Sequence, residues 1–163
     1  MLLIIDANVL IDYAQTNRQI LALAARHLGR LQVARVILDE VDQLTEADCH
    51  ALGLSIVDEP VDLLASAAER GGALSFEDHV CLLLAKQNSW TCVTNDKRLR
   101  AECEKEGVST FWGLRLLIEL VRARHLDAEA AAATAQAIHE SNPRHITPQI
   151  LKQLQRQLRE IED

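Results

Sequence analysis

Apolar and polar positions along the chain fall into blocks that switch between the spacing of strands and that of helices. Leu2 to Ile5 is an unbroken apolar run that stops at an acid, Asp6. Such a run suits a strand buried on both faces, although period alone does not separate it from a short buried helix. Beyond it, Val9, Leu10, Tyr13 and Ala14 recur at helical spacing, and Ile20, Leu21, Ala24, Ala25 and Leu28 do so again up to Gly29. A second apolar stretch, Val33 to Leu38, leads into Glu40, Val41 and Leu44, which read as the start of a helix. Leu54 to Val57 is predicted as a strand, and Val61 to Arg70 as a helix ended by Gly71 and Gly72.

Ser75 opens a helix through Gln87, with Val80, Leu83 and Leu84 on one face. Trp90 to Val93 reads as a strand, Lys97 to Glu106 as a polar helix stopped by Gly107, and Val108 to Phe111 as a last strand, with a helix from Leu114 to Val121 behind it. This alternation predicts an α/β fold, a parallel sheet with helical crossovers. No internal repeat is evident.

The composition changes near Asp127. An alanine-rich helix runs to His139, the segment SNPRHITP breaks it, and a helix follows from Gln149 to Ile161, with Thr147 and Pro148 as cap and first-turn pair. Apolar residues at 150, 151, 154, 158 and 161 form one stripe, suited to packing on the chain's own domain or to a dimer contact. The expected division is an α/β domain over 1–124 and a helical extension over 125–163.

With 163 residues and 48% hydrophobic content, the chain is long enough to bury a sizeable core. It has no apolar stretch of membrane-spanning length and no signal-peptide pattern, so a cytoplasmic protein without a membrane partner is expected. Its four cysteines lack the spacing of a zinc site and are expected to be reduced, buried small hydrophobes. The net charge of −7 lies wholly in residues 1–119, with 18 acidic against 11 basic residues; residues 120–163 hold six of each. Acidic balance and few aromatics argue against a protein that holds nucleic acid by basic patches or base stacking alone. A divalent cation bound by carboxylates would reverse the sign locally.

Four acids follow one rule of placement. Asp6 follows the first strand, Glu40 the second apolar run, Asp78 stands at a helix start and Asp96 follows the TCVT strand. In a parallel sheet the ligand crevice lies beyond the carboxyl ends of the strands. Each acid also has an ordinary explanation: Ser75 to Asp78 fits a capping box, Asp96 suits the first turn of its helix, and Glu40 fits a solvated charged face. Asn8 suits a helix cap, and Thr94 a plain strand residue. The joint placement favours a metal site. Two Mg²⁺ or Mn²⁺ ions about 4 Å apart, held by oxygen ligands, suit attack of water on a phosphodiester.

The segments IIDANVLIDY, VILDEV, LSFEDHVCLLLAK and VTNDKRLR resemble, in order and spacing, the four acidic motifs of PIN domains. That resemblance spans residues 3 to 100 and implies a Rossmann-like nuclease core that cuts RNA with Mg²⁺ or Mn²⁺. It implies Asp6, Glu40, Asp78 and Asp96 as metal ligands, and Asn8 and Thr94 as polar residues that orient ligands or water. Lys97, Arg98 and Arg100 are then candidates for gripping the RNA backbone. Small members resemble VapC toxins, which implies a homodimer and a cognate antitoxin; the helical extension lies beyond that resemblance.

Two other folds place an acid after a first strand. A haloacid-dehalogenase phosphatase needs a second acid where Asn8 stands, and a receiver domain needs an early acidic pair and a central acceptor that are missing here. The remaining alternative is a non-catalytic PIN-fold module that binds RNA or protein.

Overall fold

The computed structural model describes residues 1–163 as an α/β protein with five parallel strands and ten helices. In chain order these are β1 (Leu2–Ile5), α1 (Ala7–Thr16), α2 (Gln19–His27), β2 (Arg30–Ala34), α3 (Arg35–Glu40), α4 (Glu46–Leu52) and β3 (Ser55–Val57). There follow α5 (Val61–Glu69), α6 (Phe76–Asn88), β4 (Thr91–Val93), α7 (Lys97–Lys105), β5 (Thr110–Phe111), α8 (Arg115–Arg122), α9 (Ala128–Ser141) and α10 (Pro148–Glu162). The sheet order is β3-β2-β1-β4-β5, and every pairing is parallel. This is the expected Rossmann-like arrangement.

Strand β1 lies at the centre, pairing Leu3 with Leu31 on one side and Ile4 with Cys92 on the other. Leu3, Ile4 and Ile5 are fully buried, which explains the unbroken apolar run: helices cover both faces, so no alternation is needed. Successive strands run outward from β1 through β2 to β3, whereas β4 and β5 lie on its other side. The topological switch therefore falls between β1 and β4, where such folds open a crevice at the carboxyl edge.

The apolar stretch Val33 to Leu38 divides between two elements: β2 begins at Arg30 and ends at Ala34, and Val36, Ile37 and Leu38 belong to α3. Glu40 consequently ends a helix instead of starting one. The helix read from Glu40 lies further on, as α4, where Thr45 and Asp48 form a capping box and Gly53 closes it in the left-handed conformation at φ 81°. Asn8 caps nothing; it lies inside α1, whose cap is Asp6.

The C-terminal helices are covered by the chain itself. Leu151, Leu154 and Leu158 of α10 and Ala131, Ala135 and Ile138 of α9 join the same apolar cluster as the sheet. Helix α10 packs on α8 and α9, and α9 on α1. Three residues of the apolar stripe are thus buried within the chain, and Ile150 and Ile161 are partly buried against them. Deleting residues 127–163 is expected to expose α1 and α8 and to give an aggregating product. Light scattering that found a soluble, monodisperse species of the shortened chain would contradict this.

All four cysteines are free and buried, as expected. No helix is long and apolar enough to cross a membrane.

Candidate functional site

Asp6 occupies the switch point. Its backbone N–H donates to the Val93 carbonyl at 3.1 Å, which draws the end of β1 against β4. The side chain is 2% exposed; Oδ1 accepts the Val9 amide at 2.9 Å as the cap of α1, and Oδ2 accepts the Thr94 hydroxyl. Burial pushes the Asp6 carboxyl up to about 7. The bonds from Thr94 and Val9 pull it down, and the negative charges of Asp78 and Asp96 push it up further.

Thr94, wholly buried, ties two of the acids together. Its hydroxyl donates to Asp6 and accepts the backbone N–H of Asp96 at 3.0 Å. Asp96 in turn caps α7, with Oδ1 accepting the Arg98 amide at 2.8 Å. Asp78 completes a capping box with Ser75: the Asp78 amide donates to the Ser75 hydroxyl, and its Oδ2 accepts the Ser75 amide, both at 3.1 Å. In each of these two acids one carboxylate oxygen forms the cap and the other makes no hydrogen bond within the protein.

Glu40 stands at the outer end of the row. It is exposed at the end of α3, and partial desolvation followed by the charges of Glu77 and Asp78 holds its carboxyl above the usual range. The four acids thus form a linked series, Glu40 sensing Asp78, and Asp6 sensing both Asp78 and Asp96. No three His, Cys, Asp or Glu side chains converge closely enough to form a ready-made cation cage. The donor set nevertheless suits a hard divalent cation: oxygen ligands only, with one oxygen each of Asp78 and Asp96 free of other bonds.

The other expected residues divide. Asn8 is exposed on the first turn of α1 and makes no side-chain hydrogen bond. Lys97 and Arg98 are exposed beside Asp96. Arg100 turns away: its guanidinium lies 4.0 Å over the Trp112 ring and 3.7 Å from Glu104.

A polar group beneath the edge was not anticipated. Asp12, 3% exposed on the inner side of α1, accepts the Asn142 side-chain amide at 3.2 Å through Oδ1, and its Oδ2 has no partner. Burial pushes its carboxyl up to about 6, against the lowering effect of Asn142 and Asn95. Asn95 is itself buried and accepts the Gly113 amide at 2.9 Å, while the Gly113 carbonyl accepts the Tyr13 hydroxyl at 2.6 Å. A side chain on Gly113 would collide with Asn95 and Val9, at 2.8 Å from each. The sequence carried one signal for this group: an acid at position 12, three residues after Val9, on the apolar face of its helix.

Compared with family models, curated proteins and solved structures, the chain matches none.

Proposed function

We propose that this protein is a Mg²⁺- or Mn²⁺-dependent endoribonuclease of the PIN type, hydrolysing RNA phosphodiester bonds at the carboxyl edge of its sheet. The observation that carries the reading is the gathering of Asp6, Asp78 and Asp96, with Glu40 beyond, at the switch between β1 and β4. Four acids from four separate segments at one edge repel each other, and a fold gains no stability from that arrangement.

Asp6, Asp78, Asp96 and Glu40 would hold the cation. When bound, it would supply Lewis-acid activation of water and of the phosphate. Asp6 would hold a cation only in its ionised form; with a carboxyl near 7 it is substantially ionised at neutral pH. Thr94 holds Asp6 in a single orientation and fixes the Asp96 backbone relative to it. The caps formed by Asp78 and Asp96 pin one oxygen of each and leave the other to serve a ligand. No serine, cysteine or lysine nucleophile is required.

The test is cleavage of a mixed single-stranded RNA pool by the purified protein with Mn²⁺, with and without EDTA. Cutting that EDTA abolishes is expected. A second reading, a non-catalytic module that binds RNA or protein, draws on the absence of three converging ligands and on the engagement of both Asp6 oxygens. Stable RNA capture without cutting under Mn²⁺ would favour it.

A further inference from the structure

The segment from Asn142 to Thr147, between α9 and α10, lies against the start of α7. Asn95, Asp96, Lys97 and Arg98 line one side of a pocket of about 190 Å³, and Arg144, His145, Thr147 and Ile150 line the other. Residues far apart in the chain thus bring three permanent cations and a histidine to one place.

Those cations are free. Of the 17 lysines and arginines, eight pair with carboxylates. Lys97, Arg98 and Arg144 are among those that do not, and the only acid in the pocket is Asp96, whose Oδ1 caps α7. In a chain of net charge −7, a pocket with an excess of unpaired positive charge has an anion as its natural occupant.

The loop that carries Arg144 and His145 is held in place. Asn142 donates to Asp12 of α1 at 3.2 Å, and the Ile146 amide donates to the Asn142 carbonyl at 3.0 Å. Ile146, 1% exposed, is sunk into the core, and its carbonyl meets Nδ1 of His139. Binding an anion therefore requires little ordering of this loop.

We infer that Lys97, Arg98, Arg144 and His145 form a phosphate pocket for single-stranded RNA, built jointly by the α/β core and the C-terminal helices, which seats a backbone phosphodiester next to the carboxylate edge. The inference rests on the ribonuclease reading for the identity of the ligand. Asp96 belongs to both pocket and edge, so a strand held here by one phosphate presents its neighbouring phosphate to Asp6 and Asp78. The segment between the C-terminal helices thereby adds Arg144 and His145 to the two cations, Lys97 and Arg98, that the core brings to the pocket.

The test is equilibrium binding of a fluorescein-labelled single-stranded RNA oligomer in EDTA, read by anisotropy over a range of salt concentrations, so that no cutting is involved. Arg144→Ala and Arg98→Ala are compared with wild type and with Arg156→Ala, which alters an exposed, unpaired arginine on α10 outside the pocket. Circular dichroism melts establish that each variant is folded. Each pocket variant is expected to weaken binding several-fold and to reduce the slope of log K against log salt by about 0.7, one phosphate contact on a single strand. Arg156→Ala should leave both unchanged. Equal binding by all four proteins, or no RNA binding by wild type, overturns the pocket. Pocket-dependent binding by a protein that does not cut under Mn²⁺ upholds the pocket and removes the ribonuclease reading instead.

Discussion

Replacing Asp6 by Asn is expected to lower Mn²⁺-dependent RNA cleavage by about three orders of magnitude while leaving the protein folded. Asparagine keeps an oxygen to accept the Val9 amide, so the cap of α1 survives. It loses the negative charge at the centre of the row. Asp96→Asn should behave similarly, because Asp96 neighbours Asp6 and is tied to it through Thr94. Glu40→Gln is expected to cost much less, about tenfold, since Glu40 is exposed and senses Asp78 but not Asp6. Rates from single-turnover assays on separately purified variants would check the ranking. Undiminished cutting by Asp6→Asn would remove Asp6 from the site.

Without divalent cations, stability should fall as pH rises from about 4 to about 7. Asp6 titrates at 3.8 in an unfolded chain and at about 7 when folded. Between those values the native protein binds more protons than the unfolded one, so each increment of pH favours unfolding. Each pH unit in that window contributes about 1.4 kcal/mol, so ionising Asp6 costs on the order of 4 kcal/mol at the upper end. Asp12, at about 6 when folded, adds to the same trend. In EDTA the melting temperature of wild type should drop by on the order of 10 °C from pH 5 to pH 8. Asp6→Asn should drop less and be the more stable protein at pH 8. Adding Mn²⁺ should raise the wild-type melting temperature at pH 8 by mass action, raise it less at pH 5 where protons compete, and barely affect Asp6→Asn. Parallel melting curves for the two proteins across this pH range would contradict the buried titration of Asp6.

The parts of the fold that the sequence made legible are those where one physical cause dominates. β1 reads correctly because burial on both faces removes all alternation, and Asp6 after it marks the sheet edge because an acid has few other reasons to end such a strand. α10 reads correctly because a proline-led cap and a regular apolar stripe agree. The run Val33 to Leu38 holds two short buried elements divided only by Arg35, the first residue of α3, and a single polar position is too little to mark a change of period. α4 was misplaced although Thr45, Asp48 and Gly53 announce both of its ends, because Glu40, Val41 and Leu44 offered an earlier start. At the site, the placement of the acids after strands and at helix starts is legible in the sequence, whereas Thr94 stands out only through the PIN resemblance. Asn95, Asn142 and Arg144 were not legible, because their surroundings depend on Gly113 meeting Asn95 and on the return of α9 against α1, long-range contacts that local patterns do not encode.

The bond between Asp12 and Asn142 spans 130 positions, and that between Asp6 and Thr94 spans 88. During synthesis the first strand made is therefore the one that waits longest for its neighbours. A nascent chain that has not yet delivered Thr94 and Asp96 has no carboxylate edge, and one that has not delivered Asn142 to Ile146 has not closed the polar group beneath it. If the protein cuts RNA as proposed, this order of assembly would keep the growing polypeptide harmless to the message and ribosome that produce it until more than half of its length has emerged.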